Sequence, residues 1–381
     1  MNFLKRTTLK KIAALALCAV SPLSFAEVGV TDKEIVIGQF AATTGPAAEL
    51  GLRMQMGMHV YFSAINSQGG VHGRKIKLVT RDDGYEPKRS VEAVKTLIQQ
   101  DKVFALAGSV GTPTGLAALP ILTEAQVPLV GMFTGARALR EPFNRYVFHV
   151  RASYDDETDR IVQHLAMLGI QRIGVLQQND SYGQAVLDGV QKALTKRKIQ
   201  IAAIGIVERN SSDVKNAVNT LVKANVEAII QASTYKTSGT FIQQARAEGF
   251  KGQFFNVSFV GAQALANDLG EIGQGVAISQ VVPFPFAYST PLQQEYRNTM
   301  NWAGQKEHDF TSMEGFLTAK ILVEGLRRAG VNLTRERLIT GLESMKGVNL
   351  GGFTVKFSPQ DHVASDFTDL TVIARDKKFM H

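Results

Sequence analysis

Val103-Phe104-Ala105-Leu106-Ala107-Gly108-Ser109-Val110-Gly111-Thr112-Pro113-Thr114-Gly115 passes from a short apolar strand, through a glycine-rich turn, into a helix with proline in its first turn. The same alternation extends to both sides. Upstream, Ile35 to Phe40 reads as strand, Gly45-Pro46 as turn, and Ala48 to Asn66 as a helix stopped at Gly69-Gly70. Lys75 to Arg81 follows as strand and Pro87 to Gln100 as helix. Downstream come a helix to Ala125 and a strand from Val127 to Met132. Strands that alternate with helices in this way predict an α/β fold with parallel-rich sheets covered by helices, not a barrel or sandwich.

The rhythm restarts after Tyr146 to Arg151. Helices are expected at Asp155 to Leu168, Gly183 to Lys196, Asp213 to Lys223 and Thr237 to Glu248. Strands are expected at Arg172 to Gln178, Ile199 to Val207, Ala228 to Ala232, Phe254 to Val257 and Val276 to Val281. A second lobe of like architecture is implied, a repeat of architecture and not of residues. Past Pro283-Phe284-Pro285 the pattern turns helical over Pro291 to Gln305, Thr311 to Ala329 and Arg335 to Met345, then ends with strands near Phe353 to Phe357 and Leu370 to Ala374. These pieces must complete lobes already begun, so the chain crosses between the lobes more than once.

The N-terminus carries an export pattern: Lys5, Arg6, Lys10 and Lys11 precede the apolar run Ile12 to Val20, which leads to Ser24-Phe25-Ala26. That run is shorter than the roughly 20 apolar residues a membrane span needs. Residues 1–26 are therefore expected to be a cleaved signal peptide. The one cysteine, Cys18, follows Leu17 where a lipoprotein signal wants a small residue, so a lipid anchor is not expected. Removing the four cations from the formal charge of +8 leaves +4, which is ordinary for solubility and gives no reason to expect a nucleic-acid partner. Without a mature cysteine no disulfide forms. The remaining chain, about 355 residues, exceeds what one hydrophobic core usually fills.

Ligands of open parallel sheets bind beyond the carboxyl ends of the strands. One rim would then comprise the loop Gly108 to Gly115 and the loop Phe133-Thr134-Gly135-Ala136-Arg137. The free N–H groups and dipole at the helix start near Pro113 are receptive to an anion, such as a ligand carboxylate. Taken alone, Ser109, Thr112 or Thr114 reads first as a helix cap and the glycines as a turn, and Arg137 as half of an ion pair, with ligand contact the second reading of each. The opposite rim would come from Asn179-Asp180-Ser181-Tyr182-Gly183, Ser233-Thr234-Tyr235 and Val257-Ser258-Phe259. No nucleophile elbow, phosphate-loop lysine motif or paired histidine ligands are present, so neither an enzyme, a metal nor a cofactor is expected. Gly270-Glu271-Ile272-Gly273-Gln274-Gly275 precedes a strand, where a dinucleotide loop would follow one.

These segments resemble the branched-chain amino-acid-binding family, the type I periplasmic binding proteins that serve ABC importers. The resemblance rests on Ile37-Gly38 to Gly45-Pro46, Asn66-Ser67-Gln68-Gly69-Gly70-Val71-His72-Gly73-Arg74, Asp82-Asp83 with Pro87, the loop at Gly108, Gln126-Val127-Pro128, Tyr182-Gly183 and Gln244 to Gly249. It implies two Rossmann-like lobes joined by a three-segment hinge, with 27–152 and 283–361 in the first and 153–282 and 362–381 in the second. It implies a periplasmic monomer that takes a small-molecule ligand in the interlobe cleft and meets the membrane only through its permease and ATPase partners. A receptor that signals to a partner is the alternative use of the same fold. Carried over by position, Thr112 would receive a ligand carboxylate, with Val110, Gly111, Phe133, Thr134 and Gly135 around it. Tyr182, Thr234, Tyr235 and Ser258 would line the other rim. Ser258 stands where amino-acid binders of the family carry the acid that pairs with the ligand ammonium. Because a buried ammonium without a partner is costly, this points toward an organic or aromatic acid or an amide instead of a plain amino acid.

Overall fold

The computed structural model describes residues 27–381; the expected signal peptide, with Cys18, lies outside them. The first lobe opens with β1 (Glu34–Ala41), α1 (Ala48–Ser67), β2 (Lys75–Asp82), α2 (Pro87–Gln99), β3 (Ala105–Ala107), α3 (Thr112–Glu124), β4 (Leu129–Val130) and β5 (Val147–Phe148). Its five strands are all parallel, in the order β2-β1-β3-β4-β5. β3 and β4 are buried along their whole length, as strands covered on both faces must be. The sequence places strands over Val103 to Ala107 and Val127 to Met132, but the ladders are shorter because the flanking apolar residues are buried as connections.

The second lobe contains α4 (Tyr154–Met167), β6 (Ile173–Gln178), α5 (Ser181–Thr195), β7 (Ile201–Val207), α6 (Lys215–Lys223), β8 (Ala228–Ala232), α7 (Tyr235–Ala247), β9 (Gln253–Asn256), α8 (Ala262–Leu269) and β10 (Ala277–Gln280). The chain then returns to the first lobe as α9 (Pro291–Trp302), α10 (Phe310–Ala329) and α11 (Arg335–Glu343). β11 (Lys346–Asn349) and β12 (Thr354–Lys356) pair with each other in a separate two-stranded ladder, so the expected strand near Phe353 joins neither main sheet. β13 (Asp369–Ile373) and β14 (Phe379–Met380) finish the second sheet, ordered β14-β13-β10-β9-β8-β6-β7, by antiparallel addition at its edge.

α1 and α10 lock the first lobe together through glycine. A Cβ on Gly57 would fall 1.9 Å from the Ser312 carbonyl oxygen, and one on Gly315 would fall 2.3 Å from that of Met54, so the two backbones touch where side chains would hold them apart. Between the lobes the crossing segments run side by side: the His149 N–H donates to the His362 carbonyl and the Ala364 N–H to the His149 carbonyl, both at 2.8 Å. Residues beyond the carboxyl ends of the two sheets meet: Gln178 Nε2, at the end of β6, donates to the Tyr85 hydroxyl, past β2, at 3.2 Å. Among the described residues no helix is long and apolar enough to cross a membrane.

Candidate functional site

The first rim is built around Gly111, whose φ of +106° lets the chain turn from β3 into α3. A Cβ there would stand 2.4 Å from the Tyr85 ring, so glycine also admits that ring. None of the hydroxyls expected as caps does so: α3 has no side-chain cap, and Thr114 Oγ1 donates to the carbonyls of Val110 and Gly111. The Phe40 N–H donates to Ser109 Oγ at 3.3 Å. Thr112, the first helical residue, instead joins Thr134, Oγ1 to Oγ1, at 2.6 Å, and Thr134 reaches the Tyr154 hydroxyl at 3.3 Å. Val110 bridges Phe133, whose carbonyl accepts from the Gly111 N–H at 3.3 Å. Gly135 accepts from the Tyr154 N–H at 2.9 Å, and a Cβ at Gly135 would lie 2.6 Å from that nitrogen. The six residues expected on this rim are thus one connected, buried group.

On the second rim, Asp180 caps α5 by accepting from the N–H groups of Tyr182 and Gly183, which seats Tyr182 at the gap. The Tyr182 ring packs on Phe259 at 4.5 Å and on Tyr154 at 5.5 Å between centroids. Phe259 in turn meets first-lobe Phe133 at 5.5 Å and Tyr85 at 5.8 Å, so rings from both lobes share one cluster. Thr234 and Tyr235, also expected here, stand at the start of α7, where the Tyr235 hydroxyl meets the backbone of Glu49 in α1. Among the described residues no hydrogen bond or ring contact ties these two to the Tyr182–Phe259 group. The Tyr182 hydroxyl, Thr234 Oγ1 and Gln178 Oε1 are buried without a protein partner, which leaves them for a guest or for water. Burial pushes the Tyr182 and Tyr85 hydroxyls well above their usual range, so both stay protonated donors.

Charge enters from residues the sequence reading passed over. Arg151, on the first crossing segment, is fully buried and donates from Nε and Nη2 to Glu314 of α10, both at 2.8 Å. Its guanidinium also lies 4.2 Å from the Phe133 ring centroid, and Nη1 has no partner. Glu157, one turn into α4, is buried and accepts from the Ser258 N–H at 2.7 Å, from Ser258 Oγ at 3.1 Å and from Ser279 Oγ at 2.5 Å. Burial raises its carboxyl above the ordinary range, and Arg151 and the three donors oppose that shift only in part. Arg137 is half-exposed and paired with Asp155 of α4, which also takes Lys192 at 2.8 Å, so here the ion-pair reading describes the residue.

Further out, a polar latch joins the lobes. Arg209 donates to Glu86 at 2.8 Å, Asn210 Nδ2 to Glu86 at 2.7 Å and to the Gly84 carbonyl at 3.1 Å, and Gln178 Nε2 to the Tyr85 hydroxyl at 3.2 Å. All of these bonds exist only while the lobes are together. Arg209→Ala is accordingly expected to weaken binding of every ligand by the same factor, about threefold to tenfold, because it lowers the closed population without touching the guest. Titration of two chemically different ligands against the variant checks this: unequal losses would contradict it.

Asp83 sets the Tyr85 turn. Its carboxylate accepts from the Tyr85 N–H and from Ser90 Oγ, both at 2.8 Å, and holds Tyr85 at a φ of +61°. Burial pushes this carboxyl up to about 6, above the ~3.9 of an unfolded aspartate. The folded state therefore keeps a proton that the unfolded state has lost, and stability falls as pH rises from about 4 through 6. Asp83→Asn, which keeps the Tyr85 N–H on its Oδ1 and reverses the other contact so that Nδ2 donates to Ser90 Oγ, is expected to gain on the order of 2 kcal/mol relative to the unaltered protein between pH 4.5 and 7.5. Urea unfolding of both proteins at the two pH values measures the difference, and a constant gap would refute it.

Two sheets whose strand-end loops meet, crossing segments paired at His149 and His362–Ala364, and buried polar atoms without partners where the rims meet define a two-lobed α/β protein. The periplasmic binding protein family model matches residues 34–377, and the chain belongs to that family. It is a binding protein by family, not an enzyme, and membership of that family implies a place in the periplasm. Among solved structures it is similar to a possible leucine/isoleucine/valine-binding protein from Rhodopirellula baltica SH 1, at 33% identity and a TM-score of 0.87, covering 92% of this chain and 97% of that one. A substrate-binding periplasmic protein from Ralstonia solanacearum is 31% identical with a TM-score of 0.86, covering 91% and 99%. The Leu/Ile/Val-binding protein of Escherichia coli K12 is 24% identical over 273 residues, 71% of this chain and 73% of the relative.

Proposed function

We propose that this chain is the substrate-binding component of an ABC importer, exported with a leader that ends at Ala26, and that it delivers a small carboxylic acid to a permease and its ATPase. The lobes are 27–152 with 283–361, and 153–282 with 362–381. The guest sits between Val110, Gly111, Thr112, Phe133, Thr134 and Gly135 on one side and Tyr182, Thr234, Tyr235 and Ser258 on the other. The observation that carries this reading is the shared ring cluster: Tyr85 and Phe133 from one lobe close on Phe259 and Tyr182 from the other, with the Tyr182 hydroxyl and Gln178 Oε1 left without a protein partner. Such an arrangement favours the closed state only when a guest satisfies the buried polar atoms, which is how a ligand shifts the population. The carboxylate end belongs at the start of α3, where first-turn N–H groups have no helical acceptor. The names of the relatives support an amino-acid-like guest; plain organic and aromatic acids fit the same donors. A thermal-shift screen of amino acids, short-chain acids, aromatic acids and amides tests the reading, followed by small-angle scattering of any hit. A stabilising carboxylic acid that also contracts the protein is the expected result. Stabilisation confined to uncharged compounds, or no contraction, would sink it.

A further inference from the structure

We propose that a second cavity, apart from the two rims, is a binding site for an aromatic carboxylate. It lies between α8 and β14 of the second lobe and the return crossing and α9 of the first. Its volume is about 540 Å³, and its wall includes Gln263 and Asn267 from α8, Phe379 from β14, and Phe284, Phe286 and Arg297 from the other side. That volume is ordinary for a small-molecule site, for which roughly 300–1,000 Å³ is typical. None of the residues assigned to the guest above lines it, so the inference does not depend on what the main cleft binds.

One side of the cavity is aromatic, and the path of the chain makes it so. The segment between β10 and α9 carries Phe284 and Phe286, and a capping box formed by Thr290 and Gln293 fixes where α9 begins. Gln293 Nε2 then donates to the Phe284 carbonyl at 2.8 Å, and Arg297, one turn further on, donates from Nη1 to the Phe286 carbonyl. The two rings lie 5.2 Å apart, and Phe286 runs nearly parallel to Phe379 of the second lobe at 5.8 Å between centroids. Phe310 packs edge-on against all three. Phe284 and Phe286 are only half-buried, which leaves ring surface open for another flat group to cover.

The other side is cationic. Arg297, Lys306, Lys377 and Lys378 line the cavity, and among the described residues none of them forms an ion pair. Glu307 is the acid on the wall, and Arg53 takes it at 2.6 Å. The carboxylate of neighbouring Asp309 is turned away to Ser312, accepting from its N–H at 2.9 Å and its hydroxyl at 2.7 Å. His381, the last residue, rests its ring on Phe284 and pairs with Asp369 at 3.4 Å, outside the lining. The Arg297 guanidinium is fixed by its bond to Phe286 and by the Tyr288 ring, whose centroid is 4.1 Å away. Its Nε is nevertheless buried without a partner, and so is Nε2 of His308 on the same wall. A carboxylate supplies the missing acceptor through a charge-assisted bond, the strong kind, and relieves four unpaired cations at once. A ring-free anion would leave the phenylalanines uncovered, and an uncharged aromatic would leave the cations unpaired.

The test is photolabelling with 4-benzoylbenzoate, an aromatic carboxylate whose ketone forms a bond to nearby C–H groups on irradiation, followed by peptide mass spectrometry. Adducts are expected within 284–308 or 377–381. 3-Phenylpropanoate should suppress them at about a tenth, or less, of the concentration needed of 3-phenylpropanol, which lacks the charge, or of propanoate, which lacks the ring. The double variant Lys306→Glu, Lys378→Glu alters two exposed side chains, so folding is not at stake, and should reduce labelling of these segments at least tenfold. Adducts in the main-cleft segments alone, or none at all, would overturn the inference. So would labelling that ignores the charge reversal, or suppression by propanoate or the alcohol as effective as that by the aromatic acid. Each of these results leaves the reading of the main cleft standing on its own screen.

Discussion

Glu314→Ala is expected to lower the unfolding free energy by about 3–5 kcal/mol, the usual result of stranding one member of a buried ion pair. The size follows from where Arg151 sits. Its guanidinium is fully buried on the segment that leaves β5 for α4, with two of its nitrogens on Glu314 and its face on Phe133. Without Glu314 the charge can neither reach water nor find another dedicated acid, because Glu157 is held by two serines. For a chain of this length the loss corresponds to a fall in melting temperature of about 5 °C. The double variant Arg151→Met, Glu314→Leu should recover most of it, since replacing both charges removes the uncompensated one. Differential scanning calorimetry of the single and double variants decides the matter. A single variant within about 1 kcal/mol of the parent would mean that the guanidinium is not confined as described.

The second large effect is expected at Phe259. Its ring touches Tyr182 within its own lobe and Tyr85 and Phe133 across the gap, so removing it opens a void that the closed state feels and the separated lobes largely do not. Large-to-small substitutions of buried phenylalanine cost about 3–5 kcal/mol, of which the interlobe share falls on closure. Phe259→Ala should thus lose ligand affinity by roughly a hundredfold while its melting temperature without ligand changes by only a few degrees. Titration with a ligand found in the screen, set beside calorimetry of the free protein, separates the two. Equal losses in both would place the ring in one lobe's core instead of at the junction.

The contrast between these residues and those named from sequence shows what a linear pattern reveals. Helices such as α4 and α10 and strands such as β6 and β8 follow from apolar period and turn chemistry, because each buries a regular face. α8 carries the same period in Ala262, Leu265, Ala266 and Leu269, but over only eight residues set between Gly261 and Gly270, both at positive φ, a run too short to stand out from its flanking glycines. β11 is a polar, mostly exposed tetrapeptide that exists as a strand only because β12 returns beside it. Rim loops that follow strands were legible, since topology alone puts strand ends at the cleft. Tyr85, Arg151, Tyr154 and Glu157 were not. Asp155, Asp156 and Glu157 look alike in sequence as an acidic first turn, yet Asp156 completes a capping box with Ser153, Asp155 pairs with Arg137 and Lys192, and only Glu157 turns inward. What separates the three is the helix rotation fixed by residues far away, which no local spacing records.

The path of the chain has a consequence for its birth. α1 finds its backbone partner α10 only some 250 residues later in the chain, and the second sheet gains its last two strands from the final dozen residues. Neither half can finish its interior while the ribosome is still adding the other. A polypeptide so dependent on late segments can bury its full interior only once they have been made.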